Sequence, residues 1–273
     1  MSLYMASQSE GRISLFGAPF DSTTSYRPGS RFGPGAIRES SYGLETFSPA
    51  LDADLEDCPF TDMGDLELPF GDPNPALALI EERTREILRR NRIPFLLGGE
   101  HLVSLGAVRA AAEMHPGLQV IHLDAHADLR DDYLGMKLSH ATVMRRVIDL
   151  VGADAISQIG IRSCTREEFA LAKTLKRRPD DIFAKVGDKP CYITCDLDVL
   201  DPSVLPGTGT PEPGGLMFSE LIGILASLVT RLRIVGLDVV ELAPQLDPTG
   251  VSAVTAAKVV RECLIALGCK DEQ

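Results

Sequence analysis

Continuous apolar runs alternate along the chain with segments in which apolar residues recur every three or four positions. The runs predict strands covered on both faces, at residues 13–16, 94–97, 119–123, 155–159, 192–195 and 234–237. The segments between them predict helices at 75–90, 103–113, 141–151, 166–174, 218–230 and 253–267. The alternation predicts an α/β fold, a single-domain three-layer α-β-α sandwich with a mainly parallel central sheet.

Composition limits the kinds of partner that the protein could bind. The chain has 273 residues, 44% hydrophobic, and carries a formal net charge of −12 at pH 7. An acidic surface argues against nucleic acid and anionic membranes as partners and suits a small cationic substrate. No apolar run approaches the roughly 20 residues that cross a bilayer. We therefore predict a cytoplasmic protein, with an N-terminal tail or cloning scar at 1–11 and one domain at 12–273.

The cysteines show no metal-binding or disulfide pattern. They are Cys58, Cys164, Cys191, Cys195, Cys263 and Cys269, and no two have the Cys-x-x-Cys spacing. We expect them to be small, buried and reduced hydrophobic residues.

Six side chains of the kinds that bind metals follow three predicted strands: His101 after 94–97; Asp124, His126 and Asp128 after 119–123; Asp196 and Asp198 after 192–195. Positions two apart on extended backbone point to the same side, so an Asp-x-His-x-Asp stretch aims three ligands into one space. Each piece alone is also explained by a turn or a helix cap. Their joint occurrence at strand ends, where open α/β sheets bind ligands, predicts a metal site.

The composition of this predicted site indicates two ions. Four carboxylates and two imidazoles exceed the needs of one zinc, which takes four protein ligands or three and a water. They suit two divalent ions that share bridging carboxylates. Carboxylates favour Mn²⁺ or Mg²⁺, and the two imidazoles shift the choice toward Mn²⁺. A water between two such ions loses a proton readily and becomes a nucleophile.

Two further polar residues follow apolar runs. Glu241 comes after 234–240, and its carboxylate could hold a cation through paired hydrogen bonds. His140 begins a predicted helix and could move protons near neutral pH. Taken alone, either residue is better explained by a surface or capping role. The Gly/Pro-rich stretches at 27–35 and 206–215 are interpreted as loops within the domain, the second as a rigid wall near the site.

The motifs GGEH at 98–101, DAHAD at 124–128 and DLDVLDP at 196–202 resemble the metal-binding signatures of the ureohydrolases, the family of arginases and agmatinases. The resemblance covers nearly the whole chain and is greatest to agmatinases. It implies the arginase-like fold and two Mn²⁺ ions per subunit, which act through a metal-bound hydroxide. The implied ligands are His101, Asp124, Asp128 and Asp196 for one ion and His126, Asp124, Asp196 and Asp198 for the other.

The resemblance also implies roles around the metals. Asp128 would orient the hydroxide, Glu241 would grip the guanidinium, and His140 would match the proton-shuttle histidine of the family. The implied assembly is a homo-oligomer, a trimer or hexamer.

Two departures from arginases bear on the substrate. Arg130 stands where arginases have an Asn that holds the substrate carboxylate, and Ser163 stands where they have an acid facing the α-amine. We therefore predict that both residues lie at the substrate and that the protein cleaves agmatine to urea and putrescine. Aminopropylagmatine, guanidinobutyrate and arginine stay open as substrates, and Cys164, near the expected channel, is a further departure from agmatinases.

Two other functions compete with this hypothesis. A deacetylase-like amidohydrolase would share the broad fold, but it would use one zinc and would not need His101, Asp128 and Asp198 as ligands. A catalytically silent homologue would have no reason to keep all six ligands.

Overall fold

The computed structural model describes residues 11–268. Its strands are β1 (Ile13–Ala18), β2 (Phe47–Ser48), β3 (Ala53–Asp54), β4 (Phe60–Asp65), β5 (Ile93–Gly98), β6 (Gln119–Leu123), β7 (Ile156–Ile159), β8 (Pro190–Asp196) and β9 (Arg233–Val240). Seven of them form one sheet in the order β4-β1-β5-β9-β8-β6-β7, and every neighbouring pair is parallel. The short strands β2 and β3 form a separate antiparallel pair.

Helices cover both faces of this sheet. They are α1 (Gly33–Ser41), α2 (Pro73–Arg89), α3 (Ser104–Met114), α4 (Val143–Val151), α5 (Arg166–Leu175), α6 (Pro179–Val186), α7 (Phe218–Arg231) and α8 (Val251–Gly268). The buried side chains of α1, α6, α7 and α8 share one apolar core, and those of α2 to α5 share another. In β5, Phe95 and Leu97 enter the first core and Leu96 the second. The predicted three-layer sandwich is confirmed.

The sequence pattern missed β4, α1, α6 and the β2–β3 pair, and the omissions of β4 and α1 have a physical reason. Strand β4 lies at the sheet edge. It lacks an apolar run because Asp62 interrupts it, and Asp62 accepts two hydrogen bonds from the buried guanidinium of Arg38, at 2.9 and 3.0 Å. Helix α1 begins at Gly33 inside the stretch predicted as a loop at 27–35, since Pro34 is compatible with the first turn of a helix. The predicted loop at 206–215 is confirmed.

The cysteine prediction is wrong for two residues. Cys191, Cys195 and Cys263 are free and buried as expected, whereas Cys164 is exposed and Cys58 is disulfide-bonded. Pairing depends on which cysteines approach each other in the fold, and sequence spacing does not show this. Cys269 lies outside the described residues, as does the predicted tail except for Gly11, which is buried.

Within residues 11–268, no helix has both the length and the apolar character needed to span a membrane.

Candidate metal centre

The carboxyl ends of four adjacent strands form the floor of the site. Strands β5, β9, β8 and β6 are neighbours in the sheet and remain paired close to their last residues. His101 follows β5, Glu241 follows β9, Asp196 ends β8 and Asp124 follows β6. The parallel topology therefore brings together side chains that are up to 140 positions apart in the chain.

The first ligand group surrounds His101, whose side chain is buried. Its Nδ1 atom lies 3.1 Å from Asp124 Oδ2, 3.3 Å from Asp128 Oδ2 and 3.3 Å from Asp196 Oδ2. One imidazole nitrogen thus faces three carboxylates from two different strand ends.

The second ligand group surrounds His126. Its Nδ1 atom lies 2.8 Å from Asp198 Oδ2 and 3.5 Å from Asp124 Oδ1. Asp124 therefore belongs to both groups, with Oδ2 facing His101 and Oδ1 facing His126. All six predicted ligands meet in two groups joined by this shared carboxylate.

Without a bound cation, the crowding of the carboxylates shifts the pKa values of the side chains in the site. Burial, followed by the charges of Asp198 and Asp124, holds the pKa of Asp196 well above its usual range. Burial and Asp124 raise the pKa of Asp198 to about 6. Burial lowers the pKa of His126, but Asp124 and Asp198 outweigh it and raise that pKa to about 12. A cation would replace these protons and offset the repulsion among the carboxylates.

Two buried atoms at the centre support a fit to divalent cations. Among the described residues, His101 Nδ1 and Asp198 Oδ2 have no hydrogen-bond partner, although charged groups lie within 3.3 Å of both. A buried polar atom without a partner is costly, and a coordinated cation would satisfy both atoms. The donor set of imidazoles and carboxylates is the kind that binds Mn²⁺ and related divalent ions.

A row of buried polar residues crosses the sheet below the ligands. We call Gln158, His122, Thr194 and Asp238, which are paired in register across β7, β6, β8 and β9, the polar row. Thr194 Oγ1 lies 2.9 Å from His101 Nε2 and donates to Asp238 at 2.6 Å. Since that hydroxyl hydrogen is used, Thr194 accepts the Nε2 hydrogen of His101, whose Nδ1 lone pair then faces the carboxylates.

Sequence reasoning missed the polar row because its members sit inside apolar strand runs. The one available signal was chemical: polar residues at strand positions buried on both faces are costly unless they form hydrogen bonds. His122 belongs to this row and lies close to the first ligand group.

Glu241 is held at the end of β9 in a strained backbone conformation, with φ of +69°. Its Oε1 accepts the backbone N–H of His101 at 2.7 Å. Burial and the neighbouring charge of Glu100 raise the pKa of Glu241 to about 8. The Glu100 carboxylate in turn binds Thr23 through its N–H at 2.9 Å and its hydroxyl at 2.7 Å, which fixes the loop after β1.

The same loop positions His140. The Nδ1 atom of His140 lies 2.9 Å from the carbonyl oxygen of Thr23, which can only accept, so Nδ1 carries the hydrogen. Its Nε2 atom lies 3.2 Å from Ser25 Oγ, and both residues line a cavity at the site. Burial lowers the pKa of His140 below its ordinary value of 6.5, so the ring is neutral at neutral pH and can accept a proton.

A cavity of about 270 Å³ opens above the ligands, lined by His126, Asp128 and Asp196 together with His140, Glu241, Arg130, Ser163 and Cys164. Arg130 stacks on Tyr133 at 4.6 Å and lies 3.8 Å from Glu168, so its charge is partly engaged. Ser163 Oγ donates to Glu212 at 2.9 Å. Glu212 therefore supplies a carboxylate beside a position where the sequence alone indicated that an acid was missing.

The chain matches the sequence model of the Arginase family over residues 11–266. It belongs to the arginase family. It is 44% identical over 266 residues to an agmatinase of Bacillus cereus, covering 94% of this chain and 92% of that one. An agmatinase of Bacillus subtilis is also 44% identical, over 261 residues, covering 92% and 90% of the two chains.

A solved structure leads to the same family. The crystal structure of a candidate agmatinase from Clostridium difficile superposes with a TM-score of 0.90 at 46% identity, covering 96% of this chain and 98% of the other. Family and site together identify the chain as a ureohydrolase, a hydrolase of guanidino groups, whose His and Asp cluster is compatible with two metal ions. The deacetylase-like alternative has no support in these likenesses.

Proposed function

We propose that the protein hydrolyses agmatine to urea and putrescine with two Mn²⁺ ions bound per subunit. The observation that carries this proposal is the pair of proposed ligand groups joined by Asp124. Each has one imidazole and a buried atom that lacks a hydrogen-bond partner within residues 11–268. The agmatinase relatives, at 44% identity over more than nine tenths of this chain, support agmatine as the substrate.

The proposed ligands of one ion are His101, Asp124, Asp128 and Asp196, and those of the other are His126, Asp124, Asp196 and Asp198. When bound, two such ions make a shared water acidic enough to act as a nucleophile at neutral pH. Asp128 borders the cavity as well as the first group, so its carboxylate can hold and orient that water through a hydrogen bond.

Glu241 is the proposed anchor for the guanidinium. Glu241 lines the cavity, and paired hydrogen bonds from two guanidinium nitrogens to its carboxylate would orient the carbon toward the water. Guanidinium binding would also favour the ionised form of a carboxyl whose pKa burial raises to about 8.

The proton balance requires acceptors and donors beside the cavity. Water loses both protons as its oxygen becomes the urea oxygen, the bond from carbon to the alkyl nitrogen breaks, and that nitrogen leaves as an ammonium. Asp128 and His140 both border the cavity, so they are the proposed groups that pass these protons to the leaving nitrogen. Arg130 and Ser163 are proposed to contact the rest of the substrate.

A urea-release screen tests the proposal. The protein loaded with Mn²⁺ is assayed against agmatine, arginine, guanidinobutyrate and aminopropylagmatine, with bound metal measured in the same samples. We expect two Mn²⁺ per chain and the highest kcat/KM for agmatine. Higher kcat/KM for another compound would refute agmatine as the substrate, and no urea from any compound with both ions bound would indicate a silent homologue.

The trimeric or hexameric assembly and the cytoplasmic location stay predictions from the sequence. Light scattering and cell fractionation would test them.

A further inference from the structure

His122 is a fully buried histidine that none of the proposed catalytic steps uses. It is the penultimate residue of β6, lies between the apolar residues Ile121 and Leu123, and its Nε2 atom is 2.7 Å from Asp124 Oδ2. Burying an imidazole at this depth is costly unless both ring nitrogens have partners. The partners that it has indicate what it does.

Hydrogen bonding around Gln158 fixes the tautomer of His122. The Gln158 side-chain nitrogen lies 3.0 Å from His122 Nδ1 and 3.0 Å from the carbonyl oxygen of Ala127. A carbonyl oxygen only accepts, so the amide NH₂ group, and not its oxygen, must face Ala127 and therefore also His122. His122 Nδ1 is then an acceptor, and Nε2 carries the hydrogen that is donated to Asp124.

With this hydrogen bond, each oxygen of the shared Asp124 carboxylate accepts one hydrogen bond from the protein. Asp124 Oδ1 accepts the backbone N–H of His126 at 2.5 Å, and Oδ2 accepts the side-chain N–H of His122. A carboxylate oxygen has two lone pairs, so one remains on each atom. The remaining pair of Oδ1 serves the group around His126, and that of Oδ2 serves the group around His101.

We infer that His122 is a positioning residue for the shared carboxylate, which it orients through Asp124 toward the cation held with His101. The inference rests on the proposed two-ion function. It also predicts an asymmetry. The donor to Oδ1 is a backbone N–H, which remains after any side-chain change. Loss of His122 should therefore weaken binding of the cation on the His101 side and leave binding of the other cation largely unchanged.

Two substitutions at His122 separate its hydrogen bond from its volume. His122→Phe removes the donor and keeps a ring in the space, whereas His122→Gln can place an amide N–H near the position of Nε2. Mn²⁺ titration followed by electron paramagnetic resonance gives the affinity of each site. We expect His122→Phe to bind one ion with nearly normal affinity and the second 10- to 100-fold more weakly, roughly the cost of losing a partner of a metal ligand. His122→Gln should restore most of that affinity.

Steady-state urea release gives a second readout. At saturating Mn²⁺, the variant His122→Phe should lower kcat while leaving KM for the guanidino substrate close to normal, because the guanidinium anchor is untouched. Gln158→Leu keeps His122 but removes the contact that fixes its tautomer, so a smaller loss at the same ion site is expected. This variant keeps the inference testable if His122→Phe does not fold.

Ile121→Val is the matched control. Ile121 is the preceding residue of β6, is fully buried and packs in the core on the opposite face of the sheet. Its truncation disturbs the same strand without touching Asp124, so both Mn²⁺ affinities should stay normal.

The outcomes separate this inference from the proposed function. A wild-type protein that binds no pair of Mn²⁺ ions would overturn both. A wild-type protein with two ions, together with a His122→Phe variant that has normal affinities or an equal loss at both sites, would overturn the role of His122 alone.

Discussion

Replacing Glu241 with glutamine should stabilise the metal-free protein at high pH while it impairs substrate binding. Burial and Glu100 raise the pKa of Glu241 from its ordinary 4.5 to about 8. Between these pH values, the folded chain holds a proton that the unfolded chain has released. Stability therefore falls as pH rises through this window, by about 1.4 kcal/mol per pH unit for one such group.

The size of the gain follows from this window. At pH 7.5, about three units above the unfolded pKa, the penalty carried by Glu241 is about 4 kcal/mol. Glutamine does not ionise and therefore does not carry this penalty, and its side-chain oxygen can still accept the N–H of His101. Its buried NH₂ group costs about 1–3 kcal/mol if it finds no partner. The net gain at pH 7.5 is then about 1–3 kcal/mol, or a rise in Tm of about 2–8 °C. At pH 5 the penalty falls below about 1 kcal/mol, so no gain should remain there.

Thermal unfolding in the presence of a chelator measures this effect. Wild type, Glu241→Gln and the control Glu39→Gln, which removes an exposed carboxylate from α1, are compared at pH 5, 6.5 and 8. Only Glu241→Gln should gain Tm, and only toward high pH. An equal Tm at pH 8, or a gain that is the same at pH 5, would refute the argument. With Mn²⁺ restored, Glu241→Gln should keep its metal content and show a KM for agmatine raised about 100-fold.

Three further substitutions probe the site and the fold. Asp128→Asn should reduce urea production from agmatine by at least about 100-fold even with excess Mn²⁺, because it removes a ligand charge and the proposed hydrogen bond to water; near-normal activity would contradict the ligand assignment. His140→Asn should lower kcat by about 100-fold or more with little change in KM, because only proton transfer is affected; a change confined to KM would argue for substrate binding instead. Arg38→Met should destabilise the protein by about 1.5–3 kcal/mol in denaturant unfolding, because it removes the buried guanidinium and its two hydrogen bonds to Asp62; a loss below about 0.5 kcal/mol would show that these hydrogen bonds contribute little.

Local patterns in the sequence determined the architecture and led to the proposed ligand set. Continuous apolar runs identify strands covered on both faces, and β6 has the predicted bounds because no residue in 119–123 interrupts its run with a charge or a glycine. Asp124, His126 and Asp128 could be proposed as metal ligands because open α/β sheets bind their ligands at the carboxyl ends of the strands, and these three residues follow such a strand end. Such signals are local, and they therefore survive without knowledge of which strands are neighbours.

Only the tertiary structure decided which atoms meet. The order of the strands places β6 between β7 and β8, so His122 pairs with Gln158 on one side and Thr194 on the other. In the sequence, His122 is one polar residue in an apolar run, and nothing near it indicates that its N–H holds Asp124. Strand β4 and the bonded state of Cys58 were missed for the same reason. An edge strand or a disulfide is defined by partners distant in the chain. Contacts between distant residues produce no periodic pattern of apolar and polar positions, so the sequence pattern does not reveal them.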